Sequence, residues 1–496
     1  MNLDSESPAY TRVLREGKVP ASVKFNQAIG AVPDTVKNWV FNTFILLYYN
    51  QVLGLDPRWV SIALAVAIVF DAITDPLVAS ISDNLRGKWG RRHPLMFLSA
   101  VPLSLSVYCV FSPPADFNEM QLFTWLMTFV LLARGSMTLF FVPWASIAAE
   151  LSDDYAERTS IMSYRYAIGW TIAISLPLIV YSLVFTSTEA HPVGQLNPDG
   201  YPPLGVVAAI LMFVSILATT WLTRSQIPFL RQHTQEPEQF SLGRVVRELF
   251  YALKNPQFRL VFVIVLISSA IGGTTANIGI YMTTFFWGLN TDDLRWLTLS
   301  AVGAALAFPL VATIQKRWDK KPILLWCSII SLFDGIIIIN LRFLGVLPEN
   351  GDPLLLYIII GTGVFAAGIA VVQGIISASI VADTLDDQEL RTGVRQEAMF
   401  YAGLSFSGKA ISGLGIVLGG FIIALIEFPT GLLPSEVPSD KILMLGVCVG
   451  VMVPLLHLIP IAMIPRYKIT REEHARIRVE LDKRRDSISE QTFQQT

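Results

Sequence analysis

Asp71 and Asp75 stand four residues apart, with Thr74 beside them, inside the apolar run that ends near Ile81. On a helix that spacing puts both carboxylates on one face. Two carboxylates so close in a low-dielectric setting repel, and both stay ionised only with a cation or a shared proton between them. Clustered oxygens suit a hard cation such as Na⁺, and proton sharing suits H⁺ coupling. The alternative is that one carboxylate serves only as the structural partner of a basic residue, Arg165 or Lys409. With Arg165 and Lys409, the other charged residues well inside apolar runs are Asp34, Lys37, Arg134 and Asp334. Each costs about 2.5–3.5 kcal/mol to place at a bilayer centre, so each is a functional candidate. Asp34 and Lys37, three residues apart, either neutralise each other or leave Asp34 for substrate. Arg134 is too far from the ends of its run for snorkelling to explain it.

A second group of charges lies between the apolar runs. The segment from Ser82 to Pro94 holds Asp83, Gly90, Arg91 and Arg92, and Asp83 with Gly90 points to a tight turn. Asp153-Asp154-Tyr155-Ala156-Glu157-Arg158-Thr159 recurs as Asp386-Asp387-Gln388-Glu389-Leu390-Arg391-Thr392. Ion pairs among Asp83, Arg91, Arg92, Asp153, Asp154, Arg158, Asp386, Asp387 and Arg391 would make a gate. The simpler account is an excess of basic loop residues and acidic residues at helix N-termini.

Other motifs carry no chemistry. Gly403 to Ala410 nearly spells a phosphate-binding loop, but Ala410 replaces the hydroxyl that would bind magnesium, and no strand precedes it. Only His457 of the five histidines lies in an apolar run, and there is no GxSxG segment. These absences disfavour a membrane enzyme. Buried charges scattered singly rather than in rings disfavour a channel.

The elements that must position these residues are membrane helices. Of 496 residues, 53% are hydrophobic and only 15% charged, where ordinary soluble domains carry about 25% charge. Apolar runs lie near 25–50, 57–81, 94–112, 120–148, 160–186, 204–224, 258–287, 294–315, 322–344, 353–381, 394–427 and 441–464. Each is long enough to cross about 30 Å of hydrocarbon as a helix. Cys109, Cys327 and Cys448 all fall inside these runs, which reads as buried apolar packing rather than a disulfide framework. A net charge of −2 gives no sign of a nucleic-acid partner. Residues 1–24 hold four Lys/Arg, 83–93 four, 224–256 five, 316–321 four and the tail after Pro465 eight, whereas the alternate loops hold none. Both termini are therefore expected in the cytoplasm, with an even number of spans. No cleavable signal is expected before the first span. Between the sixth and seventh spans, Leu242, Val245, Val246, Leu249 and Leu253 recur at helical spacing, as in an amphipathic surface helix. Thr470 and Glu473 have capping-box spacing, and the charged tail behind them reads as a solvated helix.

The two acidic segments are offset by 386 − 153 = 233 residues, and Arg92-His93-Pro94 is echoed by Lys320-Lys321-Pro322 at 322 − 94 = 228. Two echoes at nearly one offset, in equivalent loops, imply a duplicated six-span unit in parallel orientation. The expectation is an all-α membrane protein of twelve transmembrane helices with the two-halves architecture of the major facilitator type. The halves are 1–224 and 257–464, joined by a cytoplasmic linker at 225–256 and followed by a cytoplasmic tail at 465–496.

The stretch Asp71-Ala72-Ile73-Thr74-Asp75-Pro76, then Asp83 and Trp89-Gly90-Arg91-Arg92, resembles the glycoside–pentoside–hexuronide:cation symporters, the melibiose-permease-like branch of the major facilitator superfamily. Val381-Ala382-Asp383-Thr384, Gly393 and Lys409 agree with it. The resemblance implies a cation site at Asp71, Thr74 and Asp75, completed by Thr138, with Thr74 where melibiose permeases have Asn. It also implies substrate contacts at Asp34 and Arg165 and a lysine near the cation site at Lys409. Two positions depart from the pattern. Phe141 stands where those permeases have a sugar-binding acid, and Ala145 where they have a sugar-stacking Trp. Trp144 is adjacent, about 100° away around a helix. The wider family includes animal lysophospholipid transporters.

The reading is a monomeric, cation-coupled symporter of the inner membrane. It carries a sugar or glycoside, or alternatively an amphiphile such as a lysophospholipid, and uses Na⁺ or H⁺ with no other cofactor. Its partners are the small-molecule substrate and the bilayer, with Lys37, Arg134 and Lys409 in charge pairing.

Overall fold

The computed structural model describes residues 10–11, 17–152, 154–230, 232–233, 253–392 and 413–494. The apolar runs fold as helices because hydrocarbon offers backbone groups no other partner. Ten helices among the described residues are long and apolar enough to span a membrane. Of the other two expected spans, the first is broken and the eleventh is described only from 413 onward. Lys409 and the stretch from Leu242 to Leu249 lie outside the described residues.

The chain divides into two compact units, Met1–Leu242 with Asn290–Arg295 and Pro429–Leu433, and Gly243–Leu289 with Trp296–Phe428 and Pro434–Thr496. In the first, α1 (Ala21–Ala28) and α2 (Ala31–Leu47) meet at Gly30. They are followed by α3 (Pro57–Asn84), α4 (His93–Val110), α5 (Glu119–Glu150), α6 (Tyr155–Ile179) and α7 (Tyr201–Leu222). Helix α5 packs on α3 and α4, and α6 packs on α1 and α2. A two-residue antiparallel pair, Tyr10–Thr11 with Gln232–His233, is an addition to the all-helical expectation.

Helix α3 shows how the sequence orients the candidate carboxylates. Ile62, Val66, Val69, Ile73 and Leu77 form an exposed apolar stripe at helical spacing. Asp71 and Asp75 each follow a stripe residue by two positions, about 200° around the helix, and so point away from the apolar surface into the bundle. Pro76 removes one backbone hydrogen bond immediately after Asp75. Helix α5 is fixed at its start by a reciprocal capping box between Asn118 and Gln121.

The second unit comprises α8 (Pro256–Tyr281), α9 (Ala301–Arg317), α10 (Lys320–Phe343), α11 (Pro353–Thr392), α12 (Gly413–Leu425), α13 (Ser439–Val447) and α14 (Arg471–Gln494). Short turns from Cys448 to Arg466 carry the last span onward. Helices α9, α10 and α14 all pack on α11.

Two expectations need correction. The tail is not a solvated helix throughout, because Ile477 and Leu481 of α14 are each 2% exposed and join a core cluster with Ile380 and Val381. The two acidic segments also differ in local structure. Near Asp154 a new helix begins, with the Asp154 carboxylate accepting from the Glu157 amide at 2.8 Å. Near Asp386 helix α11 runs on unbroken to Thr392. Leu385 is buried there, and the Thr384 hydroxyl is taken up within the helix, donating back to the Ile380 carbonyl at 2.7 Å.

Ile477→Asp should therefore destabilise the purified protein by about 3 kcal/mol or more, as burial of an unpaired charge does. Thermal unfolding in detergent measures this, and an unchanged midpoint would mean that α14 is not docked.

Candidate functional site

Three arrangements of side chains are built on these helices. The first lies between α3 and α5. The Arg134 guanidinium donates to Asp71 Oδ2 at 2.5 Å, and both side chains are nearly buried. The Thr138 hydroxyl donates to Asp75 Oδ1 at 2.9 Å. Thr74 turns its hydroxyl back to the Asp71 carbonyl at 3.4 Å. Arg134 and Thr138 are four residues apart on α5, as Asp71 and Asp75 are on α3, so the two helices meet in matching register. The repulsion expected between the carboxylates is thus relieved on the Asp71 side by Arg134, and not by Arg165.

The second is a cavity of about 560 Å³ between α2, α5 and α6. Asp34, Phe141, Trp144, Arg165 and Trp170 are among its walls. The Arg165 guanidinium lies 3.7 Å from the centroid of the Trp144 ring, a cation–π stack. The indole is held by its edge, donating Nε1–H to the Gln27 carbonyl at 2.7 Å, while the Gln27 amide returns a bond to the Trp144 carbonyl at 3.3 Å. Gly30 makes this fit possible, since a Cβ there would collide with the indole. Phe141 leans on Trp144 at 5.6 Å between centroids. Trp144, one position from Ala145, therefore does line the cavity. Asp34 and Lys37 approach to 4.0 Å, with Lys37 buried and Asp34 partly open to the cavity.

The third is a charge cluster at the basic-loop end of each unit. In the first unit, Arg91 reaches Asp83 at 3.0 Å and Glu150 at 2.7 Å. Arg92 reaches the same two carboxylates at 2.8 and 2.9 Å. Gly90, at φ 65°, turns the chain so that both arginines face inward. Burial lowers the Arg91 pKa from its ordinary value, and the Glu150 carboxylate opposes that shift. Arg158 donates to the Ser152 carbonyl at 2.7 Å, and Asp153 lies outside the described residues. In the second unit, Lys320 contacts both oxygens of Asp383 at 2.6 and 2.7 Å. Asp387 pairs with Arg391 at 2.8 Å, and Asp386 receives His474 at 3.0 Å and Arg478 at 3.7 Å, both from α14. Tyr467 sits close by, its phenol pKa raised by burial and by the Asp383 charge.

Sequence reasoning missed Glu150 as a partner of both arginines, and His474 altogether. A signal for Glu150 was present, because 383 − 150 = 233 is the offset of the acidic repeat. Each unit therefore places a carboxylate at this offset against a basic residue opening the helix after its basic loop. Among the described residues no group of three or more His, Cys, Asp or Glu is placed to hold a metal. The candidate cation site is two carboxylates and hydroxyls, a set suited to a monovalent hard cation or a proton.

A family profile described as MFS/sugar transport protein matches residues 26–471. The isoprimeverose transporter of Lactiplantibacillus pentosus is 23% identical, over 87% of this chain and 85% of its own length. The sodium-dependent lysophosphatidylcholine symporter 1-A of Danio rerio is 22% identical, over 84% of this chain and 79% of its own. Among solved structures, the nucleoside transporter NupG superposes with a TM-score of 0.60 at 12% identity, covering 89% of this chain and 98% of that one. That likeness shows the shared fold.

Glu150→Gln should cost about 3–5 kcal/mol of stability, because it leaves two buried guanidinium groups short of charge. Asp83→Asn, at a side chain 34% exposed, should cost about 1 kcal/mol or less. Paired thermal unfolding curves read the difference, and equal losses would contradict Glu150 as the centre of the cluster.

Proposed function

This chain belongs to the MFS/sugar transport family, within the glycoside–pentoside–hexuronide:cation symporters of the major facilitator superfamily, and on that premise we propose that it couples entry of one cation to symport of a sugar or glycoside by alternating access. It is a multi-pass membrane transporter with the major facilitator fold. The observation that carries the proposal is the continuity of α5. Thr138 holds Asp75, and Phe141, one turn further on, walls the cavity under Arg165 and Trp144. A cation bound by Asp75, Thr138, Thr74 and Asp71 would tie α3 to the turn of α5 that shapes the cavity. Cation and substrate would then favour the same conformation, which is the thermodynamic content of symport.

Arg165 and Asp34 would contact substrate hydroxyls, with Trp144 and Phe141 against an apolar face. The protein would sit in the inner membrane with both termini cytoplasmic, its halves at 1–224 and 257–464 joined by the linker 225–256. The Arg91–Arg92–Asp83–Glu150 and Lys320–Asp383 clusters would act as gating contacts together with the acidic repeats. An amphiphile is the second reading, favoured by Phe141 where a sugar site would have an acid. A buried sugar hydroxyl left without a partner costs about 1–3 kcal/mol, which disfavours free galactosides here.

Uptake into proteoliposomes, driven by Na⁺ or by a pH gradient, tests the coupling. Asp75→Asn removes charge and little volume, so cation-stimulated uptake should fall to background while the protein stays folded. Retention of the Na⁺ or pH dependence in that variant would defeat the assignment.

Phe141→Asp tests the substrate. It should shift the preference between a free sugar and a glycoside with an apolar aglycone toward the free sugar, by about tenfold for one restored charged hydrogen bond. An unchanged preference would remove Phe141 from the specificity argument.

A further inference from the structure

The pair between Asp71 and Arg134 has a consequence for the cation site beside it. Asp71 Oδ2 is taken by Arg134 at 2.5 Å, its other oxygen is buried without a protein partner, and both side chains are nearly buried. Asp75, one turn on, is held by a neutral hydroxyl. Arg134 therefore supplies a positive charge directly to Asp71, from the same helix that carries Thr138.

We infer that Arg134 is a built-in counter-cation that cancels the charge of Asp71 and so sets how tightly the site holds the coupling cation. This rests on the reading of Asp71 and Asp75 as the cation site. Whatever other charges surround that site, loss of Arg134 makes it more negative by one unit, and loss of the Asp71 charge makes it more positive by one. In a low-dielectric site one unit at such distances changes the affinity of a monovalent cation by about tenfold or more. A residue that merely braced α3 against α5 would have the opposite effect, since its removal would loosen the site and weaken binding.

The test is Na⁺ binding to the purified full-length protein in detergent at pH 7.5, read as NaCl-dependent change in intrinsic tryptophan fluorescence. Choline chloride keeps the ionic strength constant. Arg134→Gln should lower the half-saturating NaCl by about tenfold or more, or create a response if the native protein has none. Asp71→Asn leaves the Arg134 guanidinium beside the site without its carboxylate partner, and should abolish the response. The double variant Asp71→Asn with Arg134→Gln has the native charge again, keeps an amide oxygen at position 71, and should return to native behaviour within about threefold. That double variant removes both charges of the Asp71–Arg134 pair together, so it remains informative if Arg134→Gln does not fold.

An Arg134→Gln protein that binds Na⁺ no more tightly than native overturns the proposal. So does a double variant that stays unresponsive when the native protein responds, for then the Asp71 carboxylate itself is required as a ligand. Asp75→Asn separates the two ideas. If the native response survives in Asp75→Asn, the cation-site reading is what fails. If Asp75→Asn abolishes it and Arg134→Gln does not strengthen it, the site stands and the counter-cation role falls.

Discussion

Hydrocarbon solvates neither an unpaired charge nor an unbonded backbone group, and every other feature of this protein follows from how that constraint is met. The backbone meets it by folding into helices. Side chains can meet it by pairing across helices, and the ionisable residues of α3 and α5 mark one place where two helices come together. Asp71 meets Arg134 and Asp75 meets Thr138, each bond joining α3 to α5. One helix pair thus carries both carboxylates and their partners, and its next turn forms a wall of the cavity.

The same constraint takes a different form at the basic-loop ends. There the charges are dense enough to satisfy one another, and in the first unit each buried arginine has two carboxylate partners. Arg91 and Arg92 share Asp83 and Glu150, so two positive and two negative groups balance in a small volume. In the second unit the carboxylates of α11 are met by Lys320 from α10 and by His474 and Arg478 from α14. Buried pairs of this kind add little net stability compared with apolar packing, but they are costly to break one partner at a time.

The cavity itself is organised by packing. Its guanidinium rests on an indole ring and makes no described ion pair within hydrogen-bond distance of a carboxylate. The ring is fixed in turn by the Gln27 carbonyl and by the missing side chain at Gly30. A stacked cation between aromatic walls can accept a partly apolar substrate while keeping a donor fork for one polar group.

The sequence alone determined the membrane class and the apolar runs, ten of which fold as spanning helices among the described residues, and it pointed to the duplication and to the candidate residues. These are local or periodic properties, set by a run of apolar residues, a four-residue spacing or a repeat offset. Only tertiary structure decided partners. Arg134 could have met any acid, and its choice of Asp71 depends on the register of α5 against α3. Glu150 lay at a legible offset, yet its two arginines reach it across 59 and 58 residues of chain. The tail looked soluble because its composition is charged, and the buried face formed by Ile477 and Leu481 needed α11 to exist first. Trp144 looked misaligned by 100° on an ideal helix. The opening at Gly30 and the bond to Gln27 bring its ring to the cavity, because side-chain direction is settled by what the neighbouring helix leaves room for.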